Sequence, residues 1–155
     1  MVKFRSLTHK ELESMEKEFV DFLVLNGITG EDWDKLKKDN PDDAEGICDS
    51  FSDVVFTKIL KQCSYIENHS PYILVTVFCD AKEMYLQGIE VPTESSIDMT
   101  NPDDFEKLKT DPPEGIKRIK TQKKYSKERE LEIWEMLNNG FFISDQKLYM
   151  TLFSL

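Results

Sequence analysis

The sequence has no long hydrophobic run, no paired-cysteine motif and no glycine-rich loop, and each absence removes a class of protein. No apolar stretch approaches the ~18 residues needed to cross a bilayer. Met1-Val2-Lys3-Phe4-Arg5 leads toward a charged segment instead of a signal-peptide core. The expected location is therefore cytoplasmic, without membrane contact. The three cysteines, Cys48, Cys63 and Cys79, are an odd set without a C-x-x-C pair, which suits a reducing compartment and core packing better than a disulfide framework. The six glycines are all isolated, so nothing resembles a phosphate cradle, and no cofactor is expected.

Histidine is nearly as scarce. His9 and His69 are the only two, neither lies in a nucleophile motif, and no Ser, Cys or Thr is placed to be activated by them. A calcium loop fails as well. With Gly46 in the sixth position, the first ligand falls on Pro41 and the twelfth on Ser52. Cys63, His69 and Cys79 are too widely spaced for a zinc signature. No catalytic, cofactor-binding or metal-ligating residue is assigned.

What is present is a packed core under a charged surface. The 155 residues include 39% apolar and 32% charged side chains, with a net charge of −10. A chain of this length buries roughly 70% of its unfolded surface as a single domain, expected here over 1–155. The charge is unevenly spread: residues 1–63 carry −5, residues 64–116 carry −8 and residues 117–155 carry +3.

Helix signals dominate the first 63 residues. Thr8 with Glu11 forms a capping box, Leu7 and Leu12 a hydrophobic staple, and apolar residues from Leu12 to Leu23 recur at helical spacing until Gly27. This predicts a helix over about 9–26. Thr29 with Asp32 opens a short helix to about Lys38, and Asn40-Pro41 opens a third. That third helix offers Ala44, Ile47, Cys48, Phe51, Val54, Val55, Ile59 and Cys63 as a buried face.

The period then changes. Tyr72–Cys79 reads as an interior strand with apolar residues on both faces, and Met84–Val91 as its hairpin partner, with Gly88 marking a bulge or a close backbone approach. Short strands are expected at Tyr65–Glu67 and Lys117–Thr121. Asn101-Pro102 begins a brief helix, another spans about Ser126–Asn139, and a last one is capped by Ser144. The fold class is α+β: an N-terminal helical layer and C-terminal helices on a small, mainly antiparallel, hairpin-based sheet.

Two segments are candidate sites. In residues 117–129 seven of thirteen side chains are basic and one is acidic. Lys117, Arg118, Lys120, Lys123, Lys124, Tyr125, Lys127 and Arg129 form a candidate partner-binding set. Alternation along a strand would put Arg118, Lys120, Gln122 and Lys124 on one face, suited to RNA with Tyr125 stacking on a base. The simpler reading pairs these cations with the acidic surface of the same domain or of a partner protein, and the sequence pI near 4.7 favours it. In the polar connection, Ser95, Ser96, Asp98 and Asn101 gather hydroxyls and acids beside a helix start, a pattern that turns and caps also produce. Across the hairpin, Glu67, Asp80 and Glu90 would be the acids of a metal-dependent hydrolase, although the second strand lacks the lysine such sites use.

The order of motifs resembles a family of short proteins of unknown function associated with Bacteroidota. The resembling pieces are Phe4-Arg5-Ser6-Leu7-Thr8, Asn26-Gly27-Ile28-Thr29 before Trp33, Ser95 to Pro102, Lys123-Lys124-Tyr125 running into Glu128-Arg129-Glu130, Asn139-Gly140 and Ile143-Ser144-Asp145. The resemblance implies one intact domain in a bacterial cytoplasm and leaves function open. The leading expectation is a non-enzymatic protein-binding or adaptor domain, with a partner protein or a homo-oligomer. RNA or ribosome association through 117–129 is the alternative, and the metal-dependent hydrolase a further one.

Overall fold

The computed structural model describes residues 2–155. The chain divides into two compact units, one ending at Ile59 and one running Leu60–Leu155.

The first unit is helical. The Thr8 hydroxyl accepts from the Glu11 amide at 3.2 Å and the Glu11 carboxylate accepts from the Thr8 amide at 2.9 Å, which closes the capping box of α1 (His9–Ser14). The single helix expected over 9–26 is two helices, α1 and α2 (Glu16–Leu25). The cause is local. Ser14 Oγ donates to the Glu11 carbonyl at 2.7 Å, the acceptor that the Met15 amide would use in a continuous helix, and Met15 N–H turns to Leu12 O at 3.1 Å.

Gly27, at φ +74°, ends α2 in a Schellman motif: Ile28 N–H reaches Leu23 O at 2.9 Å and Gly27 N–H reaches Val24 O at 3.0 Å. Thr29 and Asp32 cap α3 (Gly30–Asp39) reciprocally, at 3.0 and 3.2 Å. Then α4 (Pro41–Gln62) begins. Its Phe51 ring meets Phe19 at 5.1 Å and Phe22 at 5.4 Å, and Phe19 meets Trp33 edge-on at 5.2 Å. Such pairs add about 0.5–1.5 kcal/mol each beyond their burial. Ala44, Phe51, Phe56 and Leu60 are the buried stripe of α4, whereas Val54 and Ile59, expected to lie on it, are exposed. The buried residues recur at helical spacing around a narrower face than the apolar count suggests.

The second unit is built on a five-stranded antiparallel sheet in the order β4-β3-β2-β1-β5. Its strands are β1 (Tyr65–His69), β2 (Ile73–Cys79), β3 (Glu83–Glu90), β4 (Lys117–Lys124) and β5 (Phe142–Ser144). As expected, β2 is interior and pairs with β3 as a hairpin. Gly88 marks a close approach and not a bulge, because the register Val75–Gly88–Ile119 runs unbroken. A Cβ there would lie 3.0 Å from Leu74 O and 3.2 Å from Ile119 Cβ.

Three helices complete this unit: α5 (Pro102–Thr110), α6 (Arg129–Asn138) and α7 (Gln146–Ser154). α6 starts later than the expected Ser126, because the Ser126 amide and hydroxyl bond to the Glu132 carboxylate at 2.9 and 3.2 Å and hold the chain in a bend ahead of the helix. Asp145, not Ser144, caps α7 through Lys147 N–H at 2.9 Å. Ser144 belongs to β5, a strand the sequence reading does not anticipate, paired with Tyr65. The core cluster on one side joins Leu74, Ile89, Val91, Met99, Leu108 and Leu152. By chemistry and topology the chain is an α+β protein, and no helix among the described residues is long and apolar enough to cross a membrane.

Candidate functional site

The basic segment forms the edge strand β4 and the approach to α6. Its alternation holds: Arg118, Lys120, Gln122 and Lys124 stand opposite Ile89, Gln87, Tyr85 and Glu83 and share one face. Most of its cations have partners inside the second unit. Arg118 Nη2 donates to the Leu152 carbonyl near the end of α7 at 3.1 Å. Lys120 Nζ lies 4.7 Å from the Phe153 ring centroid. Lys123 pairs with Glu132 at 3.0 Å and Lys127 with Glu135 at 2.5 Å. Lys117 and Lys124 face Glu90 and Glu83 across the ladder, a stabilising juxtaposition of opposite charges.

Two members of the set are structural in geometry. Tyr125 donates its hydroxyl to Asp80 O at 2.7 Å, and its pKa is pushed up to about 12 by burial foremost and by neighbouring Cys79. Arg129 is mostly buried and gathers four carbonyls: Leu60 O at 2.9 Å, Cys63 O at 2.5 Å, Cys79 O at 3.0 Å and Asp80 O at 3.2 Å. It clamps the end of α4 and the β2–β3 turn together. The lysines left at the surface flank an edge strand, where like charges discourage pairing with another chain.

The polar loop is spent on its own backbone. Asp98 accepts from Thr100 N–H at 2.9 Å and from the Thr100 hydroxyl at 2.5 Å, contacts that lower its pKa. Asn101 caps α5 through Asp103 N–H at 2.9 Å. Ser96 is exposed, and Ser95 Oγ is buried without a partner among the described residues. Met99 between them is 3% exposed and anchors the loop to the core.

The hairpin acids are kept apart. Asp80 lies at the β2–β3 turn, Glu90 pairs with Ile73 at the opposite end of β3, and Glu67 and Glu90 point to opposite faces. Glu67 Oε1 lies 2.8 Å from His69 Nε2, and Glu67 is 6% exposed. His69 ends β1 opposite Leu74, whereas Cys63 and Cys79 lie at the other end of that strand, where Cys79 N–H bonds Ser64 O at 2.7 Å. Among the described residues, no three His, Cys, Asp or Glu side chains gather as metal ligands. All three cysteines are unpaired, with pKa values raised by burial, that of Cys79 to about 12.

A site outside these segments lies in the first unit. A groove of about 570 Å³ runs beside α2 and α3, walled by Leu12, Phe19, Val20, Leu23 and Trp33. Glu13, Glu16 and Asp34 stand among its lining residues with His9 and Lys37. The rim charges are partly matched, His9 to Glu13 at 3.0 Å and Lys37 to Asp34 at 3.5 Å. Val20 is 49% exposed, and one turn on, Val24 is 66% exposed. The sequence held a signal for an exposed apolar face on α2, of which Val20 lines the groove. Val20 and Val24 sit four residues apart beside a stripe of Leu12, Met15, Phe19, Phe22 and Leu23 that already supplies a full buried face, so they are surplus to the core.

Compared with known proteins, the chain matches one family over residues 1–155, described as a family of unknown function (DUF6495), and it belongs to that family. No curated protein and no solved structure matches it.

Proposed function

We propose that this member of a family of unknown function is a non-enzymatic protein-binding or adaptor domain whose first unit receives a basic amphipathic helix from a partner protein. The groove beside α2 and α3 carries the reading: aromatic and aliphatic walls, carboxylates at the rim and an exposed Val20 on its wall. Residues 1–59 hold eight Lys and Arg against fourteen Asp and Glu, a net charge of −6. A helix with apolar residues at i, i+3 and i+4 and lysines on its flanks satisfies both the walls and the rim. Charge complementarity then speeds encounter and excludes acidic partners.

The whole-chain family match supports reading 1–155 as one functional domain. Three unpaired cysteines suit the cytoplasmic setting, and the motif order suits a bacterial, Bacteroidota source. RNA association through β4 draws less support, because Arg118, Lys123 and Lys127 already have partners of their own.

The test is a titration of the chain into a fluorescent amphipathic peptide of roughly 18 Leu and Lys residues, long enough to hold a helix. Binding that weakens with salt and is lost in Val20→Glu is the expected result. Binding unchanged by Val20→Glu, or a native mass showing two copies that seal the groove against each other, would overturn the reading.

A further inference from the structure

We infer that the second unit holds a binding site for a small planar aromatic anion, in the groove between β3, β4 and α7. The groove, about 460 Å³, is lined by Tyr85, Gln87, Lys120, Gln122, Tyr149 and Phe153, and the Tyr85 hydroxyl donates to Glu83 at 3.2 Å. Its volume suits a small organic molecule.

The sheet row that supplies Gln87 and Lys120 sets this groove apart. Glu67, Thr76, Gln87 and Lys120 stand in one row across β1, β2, β3 and β4. The first three are 6%, 1% and 4% exposed. Thr76 Oγ1 has no hydrogen-bond partner among the described residues, and Ser144 Oγ is likewise buried and unpartnered. Sheet interiors under a helix are ordinarily apolar, and buried polar groups without partners oppose folding. Of this row Gln87 and Lys120 line the groove, and they offer a ligand's polar edge its hydrogen bonds.

The walls fit a ring. Tyr85 and Tyr149 each lie 6.1 Å from Phe78, and Phe78 stacks 5.1 Å from Tyr65, so the groove opens on a band of aromatic side chains. At the mouth, Lys120 Nζ rests 4.7 Å from the ring of Phe153, which is 50% exposed. An anionic substituent on the ligand takes up that ammonium, the only charged group lining the groove among the described residues. An aromatic carboxylate and a nucleoside monophosphate share this chemistry.

The experiment is an amide-resolved NMR titration of the full chain with three probes: indole-3-acetate, adenosine monophosphate and cyclohexanecarboxylate. Shifts in β3, β4 and α7 with either aromatic probe are expected, with cyclohexanecarboxylate at least tenfold weaker, and the tighter aromatic probe assigns carboxylate or phosphate. Lys120→Ala, at an exposed position, should weaken binding about tenfold while leaving the rest of the spectrum in place. Gln87→Leu should weaken it further, and if that variant does not fold, Lys120→Ala carries the test alone. Absence of shifts in these elements with both aromatic probes, equal binding of cyclohexanecarboxylate, or undiminished binding by Lys120→Ala would each overturn the site. The first unit's groove contributes no residue here, so the two readings fail separately.

Discussion

Lys123 Nζ lies 3.0 Å from Glu132 Oε1, joining an exposed edge strand to a carboxylate on α6 that is only 6% exposed. Burial opposes the charge on Glu132 most strongly, but donation by Lys123 and by the Ser126 amide and hydroxyl outweighs it, and the carboxyl pKa is lowered. Removing Lys123 leaves a buried carboxylate with Ser126 alone. Lys123→Ala should cost about 1–2 kcal/mol, read as a lower urea midpoint at unchanged slope. A midpoint unmoved by the change would mean that water replaces the ammonium at no cost.

Acid sensitivity follows from groups shifted in the same direction. Glu11 is held at about 2, below its ordinary 4.5, by the Arg5 guanidinium first and then by the Thr8 backbone and hydroxyl. Its folded pKa lies below its unfolded value, so its contribution is present above pH 4.5 and fades as pH falls toward 2. Glu132 acts in the same sense. Stability measured from pH 7 to 2 should fall through this window, and Glu11→Gln should flatten the part of the curve that reports the first unit.

Arg129 is not replaceable by another cation. Its planar fork serves Leu60, Cys63, Cys79 and Asp80 carbonyls at once, a geometry the single ammonium of lysine does not reproduce. Arg129→Lys should destabilise by about 2–3 kcal/mol, through carbonyls left without donors. Thermal unfolding checks it. A loss as small as that of a surface lysine substitution would show that the clamp is dispensable.

Two glycines should respond with opposite signs. Gly88→Ala drives a methyl against Leu74 O and Ile119, at 3.0 and 3.2 Å, where backbone cannot yield cheaply, and should cost about 1–3 kcal/mol. Gly46, within α4, meets nothing within 4 Å, so Gly46→Ala should stabilise by about 0.5–1 kcal/mol. Paired denaturation curves distinguish the two.

Local chemistry made much of the fold legible. The Thr8–Glu11 and Thr29–Asp32 boxes, the Gly27 stop, the Asn101 cap and the β2–β3 hairpin are contacts within a few residues, and all are found where their motifs stand. Boundaries were misread where a side chain competes for the backbone. Ser14 breaks the first helix by taking Glu11 O, and Glu132 delays α6 by holding Ser126. β5 was missed because Phe142-Ile143-Ser144 is too short to show a period, and becomes a strand only by pairing with β1.

The sequence by itself determined the helical first stretch, the central hairpin, the alternation of Arg118, Lys120, Gln122 and Lys124, and the acidic balance, because caps, periods and charge are local or additive properties. Tertiary structure alone decided what those residues face. It set Lys123 on Glu132, Arg118 on the end of α7 and Arg129 on four carbonyls, and so named the internal partners of the basic run. It also lined Glu67, Thr76 and Gln87 into one buried row from three separate strands. Register across a sheet depends on which strands become neighbours, and no spacing within a single strand contains that information.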